Sequence, residues 1–124
     1  MIGLIKPEWS APASVQSAFS LRSGGTSLPP WDSLNLGVHV GDELDAVARN
    51  RRRLAEALAL PSPPWWLEQV HGTEVATFER PPSSAEAAAT ATRPIADAAV
   101  TRAVGVVLAI QVADCLPVLL TDDQ

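Results

Sequence analysis

The sequence is poor in the residues from which dense chemical sites are built: one cysteine (Cys115), two histidines (His39 and His71) and a single lysine among nine cations. A lone cysteine excludes an intrachain disulfide. No Cys-x-x-Cys or His-x-x-x-His pair occurs, so the short ligand spacings of many zinc sites are missing. There is no Walker loop and no Gly-x-Gly-x-x-Gly stretch for phosphate. No apolar run reaches the roughly 18–20 residues that span a bilayer, which argues against a membrane partner. Met1 to Ser10 lacks the basic and apolar regions of a signal peptide. A cytoplasmic, reducing setting is therefore expected, and it suits a free thiol. The net charge of -5 supplies no basic field and argues against nucleic acid. The one basic run, Arg51-Arg52-Arg53, lies in a helical pattern, where a solvated face explains it.

What is present fits a modest globular domain. The 124 residues are 47% hydrophobic and 19% charged. Val15 to Leu21 reads as a strand that runs into a polar turn, Arg22-Ser-Gly-Gly-Thr-Ser27. Leu34 to Val40 alternates apolar and polar residues, which predicts a half-buried strand with Asn35, Gly37 and His39 on its polar face. Asp42 to Leu60 predicts a helix capped by Asp42 and stopped by Pro61. Its apolar stripe is Leu44, Val47, Leu54 and Leu58, and Arg51 falls on that stripe. Arg51 either snorkels past its neighbours or reaches a buried anion.

Farther on, Trp65 to Val70 predicts a strand that delivers Gln69 and His71, broken by Gly72. Glu74 to Arg80 and Ala98 to Thr101 read as strands, and Pro81 to Pro94 as a flexible surface loop. Gly105 to Val112 is almost wholly apolar, as expected for a strand buried on both faces. The pattern predicts an α+β fold of layered mixed β-sheets with flanking helices. Its last apolar segments need a covering layer that this sequence hardly provides, so the chain reads as truncated.

Three places offer chemistry. Asp114-Cys115 sits between apolar segments, where a thiol serves as metal ligand, nucleophile or small buried hydrophobe. The neighbouring carboxylate favours a chemical role. His71, in Gln69-Val-His-Gly72, is a ligand or a surface residue of a turn. With Cys115 it is compatible with zinc or copper. Arg22 beside Gly24-Gly25 either holds phosphate or decorates an ordinary turn.

Taken in order, Phe19-Ser-Leu-Arg-Ser-Gly-Gly-Thr-Ser27, Ser33-Leu-Asn-Leu-Gly-Val-His-Val-Gly-Asp42, Asn50-Arg51, Gln69-Val-His-Gly-Thr73 and Ala113-Asp-Cys-Leu-Pro-Val118 resemble the YfiH-like family. Its members are also called laccase-domain proteins, multicopper polyphenol oxidoreductases or purine nucleoside phosphorylases. The resemblance implies that residues 1–124 are the N-terminal part of a single domain whose fold is similar to that of the cytotoxic-necrotizing-factor-type thiol hydrolases.

The resemblance also implies a zinc site made by His71, Cys115 and a second histidine in an Ala-His-Ala-Gly-Trp-Arg segment. That segment does not occur in this sequence. Little or no activity is expected of this chain alone, and the C-terminal half of its own domain is an expected partner. The implied reactions are phosphorolysis of adenosine, inosine or methylthioadenosine and deamination of adenosine. His71, Cys115 and Asp114 form the expected catalytic set, with Asp114 as acid or base near a zinc-activated water. Arg22 and Arg51, with the polar residues Asn35 and Gln69, are expected to bind nucleoside or phosphate.

Two rival chemistries remain. A copper phenol oxidase would need more histidines than the two present, if it reduces dioxygen as multicopper oxidases do. A thiol hydrolase would use Cys115 as nucleophile and His71 as base.

Overall fold

The structure, a computed structural model, describes residues 1–123. Two compact units share the chain: Met1–Leu58 with the stretch from Val118 onward, and Ala59–Pro117.

In the first unit, β1 (Leu4–Ile5) pairs antiparallel with β2 (Phe19–Ser20). The strand expected over 15–21 is thus confined to its last third, and β1 had no distinct pattern in the sequence. The helix α1 spans Leu44–Leu58. It ends where Ala59 takes a left-handed φ of 49° before Pro61. Its buried face is Ala46, Val47 and Asn50, while Leu44 is exposed. The apolar stripe is therefore rotated from the expected one, and its centre is polar.

Leu34 to Val40 is not a strand. Asn35 accepts from the Gly37 amide (3.0 Å) and donates to the Gly37 carbonyl (3.2 Å), curling the chain into a side-chain-closed turn. The alternation that imitated a strand belongs to a loop wrapped on α1, with Leu34 buried.

In the second unit, β3 (Val75–Thr77) and β4 (Ala98–Val100) run parallel, close to where the sequence placed strands. The strand expected over 65–70 is reduced to two isolated parallel bridges, Trp65 with Leu108 and Glu68 with Ile95. Trp65, Leu67, Phe78 and Ala96 form the core, with Ala76, Ala99, Val106 and Leu108 packed on it. Trp65 stacks on Phe78 with ring centroids 4.4 Å apart, and its indole N–H reaches the Arg80 carbonyl at 2.8 Å.

Two expectations fail in this unit. Gly105 to Val112 is not a strand buried on both faces; it has the bridge at Leu108, and Ile110 and Val112 are exposed. The 81–94 stretch is not all loop. It holds α2 (Ser84–Ala88), opened by a reciprocal capping box between Ser83 and Glu86.

The α+β class holds as a small mixture of helices and strands. In place of layered sheets, the described residues form two two-stranded sheets, one antiparallel and one parallel. Among them no helix is long and apolar enough to cross a membrane.

Candidate functional site

His71 and Cys115, the expected ligands, both belong to the second unit. Both are exposed, and Cys115 is a free thiol. Asp114, beside it, is exposed too. Among the described residues no three His, Cys, Asp or Glu side chains gather as a metal site. The donors fit zinc in kind, an imidazole and an accessible thiol, whereas a catalytic zinc usually takes three protein ligands.

The backbone at His71 is unusual. Its φ is 60°, the left-handed region that residues other than glycine seldom enter. A residue that sequence reasoning missed holds it there. Asp97 accepts from the amides of Val70 (3.0 Å) and Gly72 (2.8 Å) on Oδ1, and from that of His71 (2.9 Å) on Oδ2. These bonds, the Gly72 amide foremost, hold the Asp97 carboxyl below its ordinary 3.8. The available signal was one acid in an otherwise apolar run, Ile95-Ala-Asp-Ala-Ala-Val100.

Gln69 is already engaged. Its amide donates to the Gln111 carbonyl and accepts from the Gln111 N–H, both at 2.8 Å. The side chain thereby imitates a strand residue. It ties the segment that leads to His71 to the segment that leads to Asp114 and Cys115.

In the first unit, the Gly-Gly turn is shaped by crowding. A Cβ on Gly25 would lie 2.0 Å from the Ser33 carbonyl oxygen, and one on Gly24 2.5 Å from that of Met1. The Gly25 amide donates to Ser33 Oγ (3.1 Å) and the Thr26 amide to Asn50 Oδ1 (2.7 Å). Arg22 donates twice to the Asp32 carbonyl, at 3.1 and 2.8 Å, yet its side chain remains 78% exposed. Arg51 turns from α1 to the Leu36 carbonyl, at 2.9 and 2.7 Å.

Asn50 is the hub. Fully buried, it accepts from the Thr26 N–H and hydroxyl and donates to Ser27 Oγ (2.9 Å) and the Asn35 carbonyl (2.8 Å). Asp42 closes the network by accepting from Ser27 Oγ (2.5 Å) and the Asn35 amide (3.1 Å). The Ser27 hydroxyl is the main cause of its lowered pKa. Asp42 thus clamps the loop, and its one bond to the helix entrance is from the Glu43 N–H. His39 is exposed in this loop.

Comparison with known proteins adds the wider frame. The family described as multi-copper polyphenol oxidoreductase laccase matches residues 16–124. The chain is 48% identical over 119 residues to an Escherichia coli K12 protein named purine nucleoside phosphorylase YfiH, covering 96% of this chain and 46% of that one. It is 51% identical over 117 residues to a purine nucleoside phosphorylase of Xylella fastidiosa, covering 91% and 44%. Among crystal structures, a Neisseria meningitidis protein is 38% identical with a TM-score of 0.74, covering 90% of this chain and 42% of that one. YlmD from Geobacillus stearothermophilus is 37% identical with a TM-score of 0.72, covering 83% and 39%. The chain spans about half the length of these relatives.

Proposed function

Because the chain belongs to the multi-copper polyphenol oxidoreductase laccase family, whose relatives here carry the name purine nucleoside phosphorylase, we propose that it is the N-terminal part of a metal-dependent purine nucleoside phosphorylase. The observation that carries this reading is the 48% identity to a protein so named, over 96% of the chain. Two exposed donors of the right kind on one unit support it.

In phosphorolysis a phosphate oxygen forms a bond to the ribose C1′ as the bond from C1′ to the purine breaks. The electron pair of that bond stays on the base, which takes up a proton on leaving. His71 and Cys115 would hold zinc with a third ligand from outside this chain. Zinc, when bound, supplies a Lewis acid. Asp114 would carry the proton. Arg22, the candidate for phosphate, keeps a largely exposed side chain, although its guanidinium donates to the Asp32 carbonyl and pairs with the Asp32 carboxylate at 3.6 Å. Asn35, Arg51 and Gln69 would act through the loops they hold. Deamination of adenosine by the same site is the companion activity.

The family description favours one rival, a copper-dependent phenol oxidoreductase. The two histidines of the sequence are few for it. Phosphate-dependent release of adenine from adenosine by the full reading frame tests the proposal, with copper loading and phenol oxidation run in parallel. Base release that needs phosphate supports the nucleoside reading. Phenol oxidation without base release overturns it.

A further inference from the structure

We propose that Asp97 is a positioning residue for His71, fixing the left-handed turn from which the imidazole projects. The inference rests on the reading of His71 as a metal ligand.

Three consecutive amides converge on one carboxylate at 2.8–3.0 Å. Successive N–H groups point to one side when a residue among them takes the left-handed conformation, and the concavity so formed binds anions. Here the anion is built in. Asp97 stands immediately before β4, and its own amide donates to the Glu74 carbonyl at 3.2 Å. The carboxylate therefore sits on the β3–β4 pair, a fixed base, and reaches back 25–27 residues to the turn.

A histidine at φ 60° is a backbone outlier, and glycine stands at the very next position. Such outliers persist where the surroundings over-determine them, and they concentrate at functional sites. The charge-assisted bonds from Asp97 supply that determination. They grip the backbone only. The imidazole is left exposed, both of its nitrogens unconstrained by this contact.

The division of labour between the carboxylate oxygens gives a specific test. Asp97→Asn can keep Oδ1, and with it the Val70 and Gly72 bonds, but presents an NH2 to the His71 N–H. Asp97→Ala removes all three acceptors. Amide hydrogen exchange is read residue by residue on the metal-free full reading frame, and zinc affinity by chelator competition.

In Asp97→Asn, exchange at His71 is expected to quicken about tenfold, while Val70 and Gly72 keep their protection. In Asp97→Ala all three amides quicken. Zinc affinity is expected to fall about ten- to a hundredfold in both, as for other outer-shell partners of metal ligands. A uniform loss of protection across β3 and β4 in Asp97→Asn would mark a merely structural role and overturn the proposal. So would unchanged exchange at His71. Failure of the ligand reading is distinct: His71→Ala would then leave zinc affinity at the wild-type value, whatever the amides do.

Discussion

The side chain of Gln69 and the backbone of Gln111 exchange two hydrogen bonds, each 2.8 Å long. This pair sits two residues before His71 and four before Cys115. It sets the register between the two segments that would bring a metal its ligands.

Replacing Gln69 tests that register. Gln69→Ala leaves the Gln111 N–H and carbonyl without this partner, and stability is expected to fall by about 1–2 kcal/mol. Gln69→Glu retains the acceptor but sets a carboxylate against the Gln111 carbonyl, so it should not rescue. Urea unfolding followed by tryptophan fluorescence reads both. Equal stability of Gln69→Glu and wild type would show that the donor half of the pair is dispensable.

Asn50 carries a heavier load. Asn50→Ala removes the partner of the part-buried Thr26 amide and Asn35 carbonyl and of the buried Ser27 hydroxyl, and a loss of about 1–3 kcal/mol is expected. Asn50→Asp should fare no better, since a carboxylate cannot donate to Ser27 Oγ or the Asn35 carbonyl. A loss below about 0.5 kcal/mol, the level of ordinary surface changes, would contradict the hub.

The cap of α2 should melt with acid. The Arg80 guanidinium first, then the Ser83 amide, holds the Glu86 carboxyl down to about 2 from its ordinary 4.5. A group depressed in the folded state contributes above its unfolded pKa and loses that contribution as pH falls through the folded one. The Ser83–Glu86 box should thus be intact above about 4.5 and open as pH approaches about 2. Carboxyl-carbon NMR shifts of Glu86, with amide exchange at Ala87, follow both events. A titration centred at 4.5 would contradict the ion pair.

The Cys115 thiol is exposed and free. Iodoacetamide should label it readily in chelator-treated protein. Zinc should slow labelling in wild type and not in His71→Ala, because the ligand set is then broken. Labelling that zinc leaves unchanged in wild type would remove Cys115 from the metal site.

Part of this architecture was legible beforehand. The helix showed in its 3.6-residue pattern and in Pro61, and Val75–Thr77 and Ala98–Val100 in short apolar runs between breakers. β1 gave no signal, the apolar run 105–112 forms only the bridge at Leu108, and the polar contacts escaped as well. Asn35 closes a turn within an alternation that imitates a strand, because alternation reports spacing and not hydrogen-bond partners. Asn50 lies on the apolar stripe of α1, three residues after Val47, and only its partners from the 26–35 loop explain it. The Ser83-x-x-Glu86 box was written in the sequence, but an alanine-rich stretch flanked by prolines obscured it. Asp97 acts across 25 residues of chain on Gly72, a reach that no local pattern encodes. Asp114, Cys115, His71 and Arg22 stood out from their residue types and surroundings, and the resemblance supplied the joint zinc role of His71 and Cys115; the contacts that hold these segments emerged with the fold.

The most direct test of the central claim is phosphate-dependent adenine release from adenosine by the full reading frame, comparing wild type with His71→Ala and Cys115→Ala at matched concentrations of protein and added zinc. Activity in wild type, dependent on phosphate and abolished by chelation and by either substitution, is the predicted result. Full activity in Cys115→Ala protein freed of zinc would contradict the account.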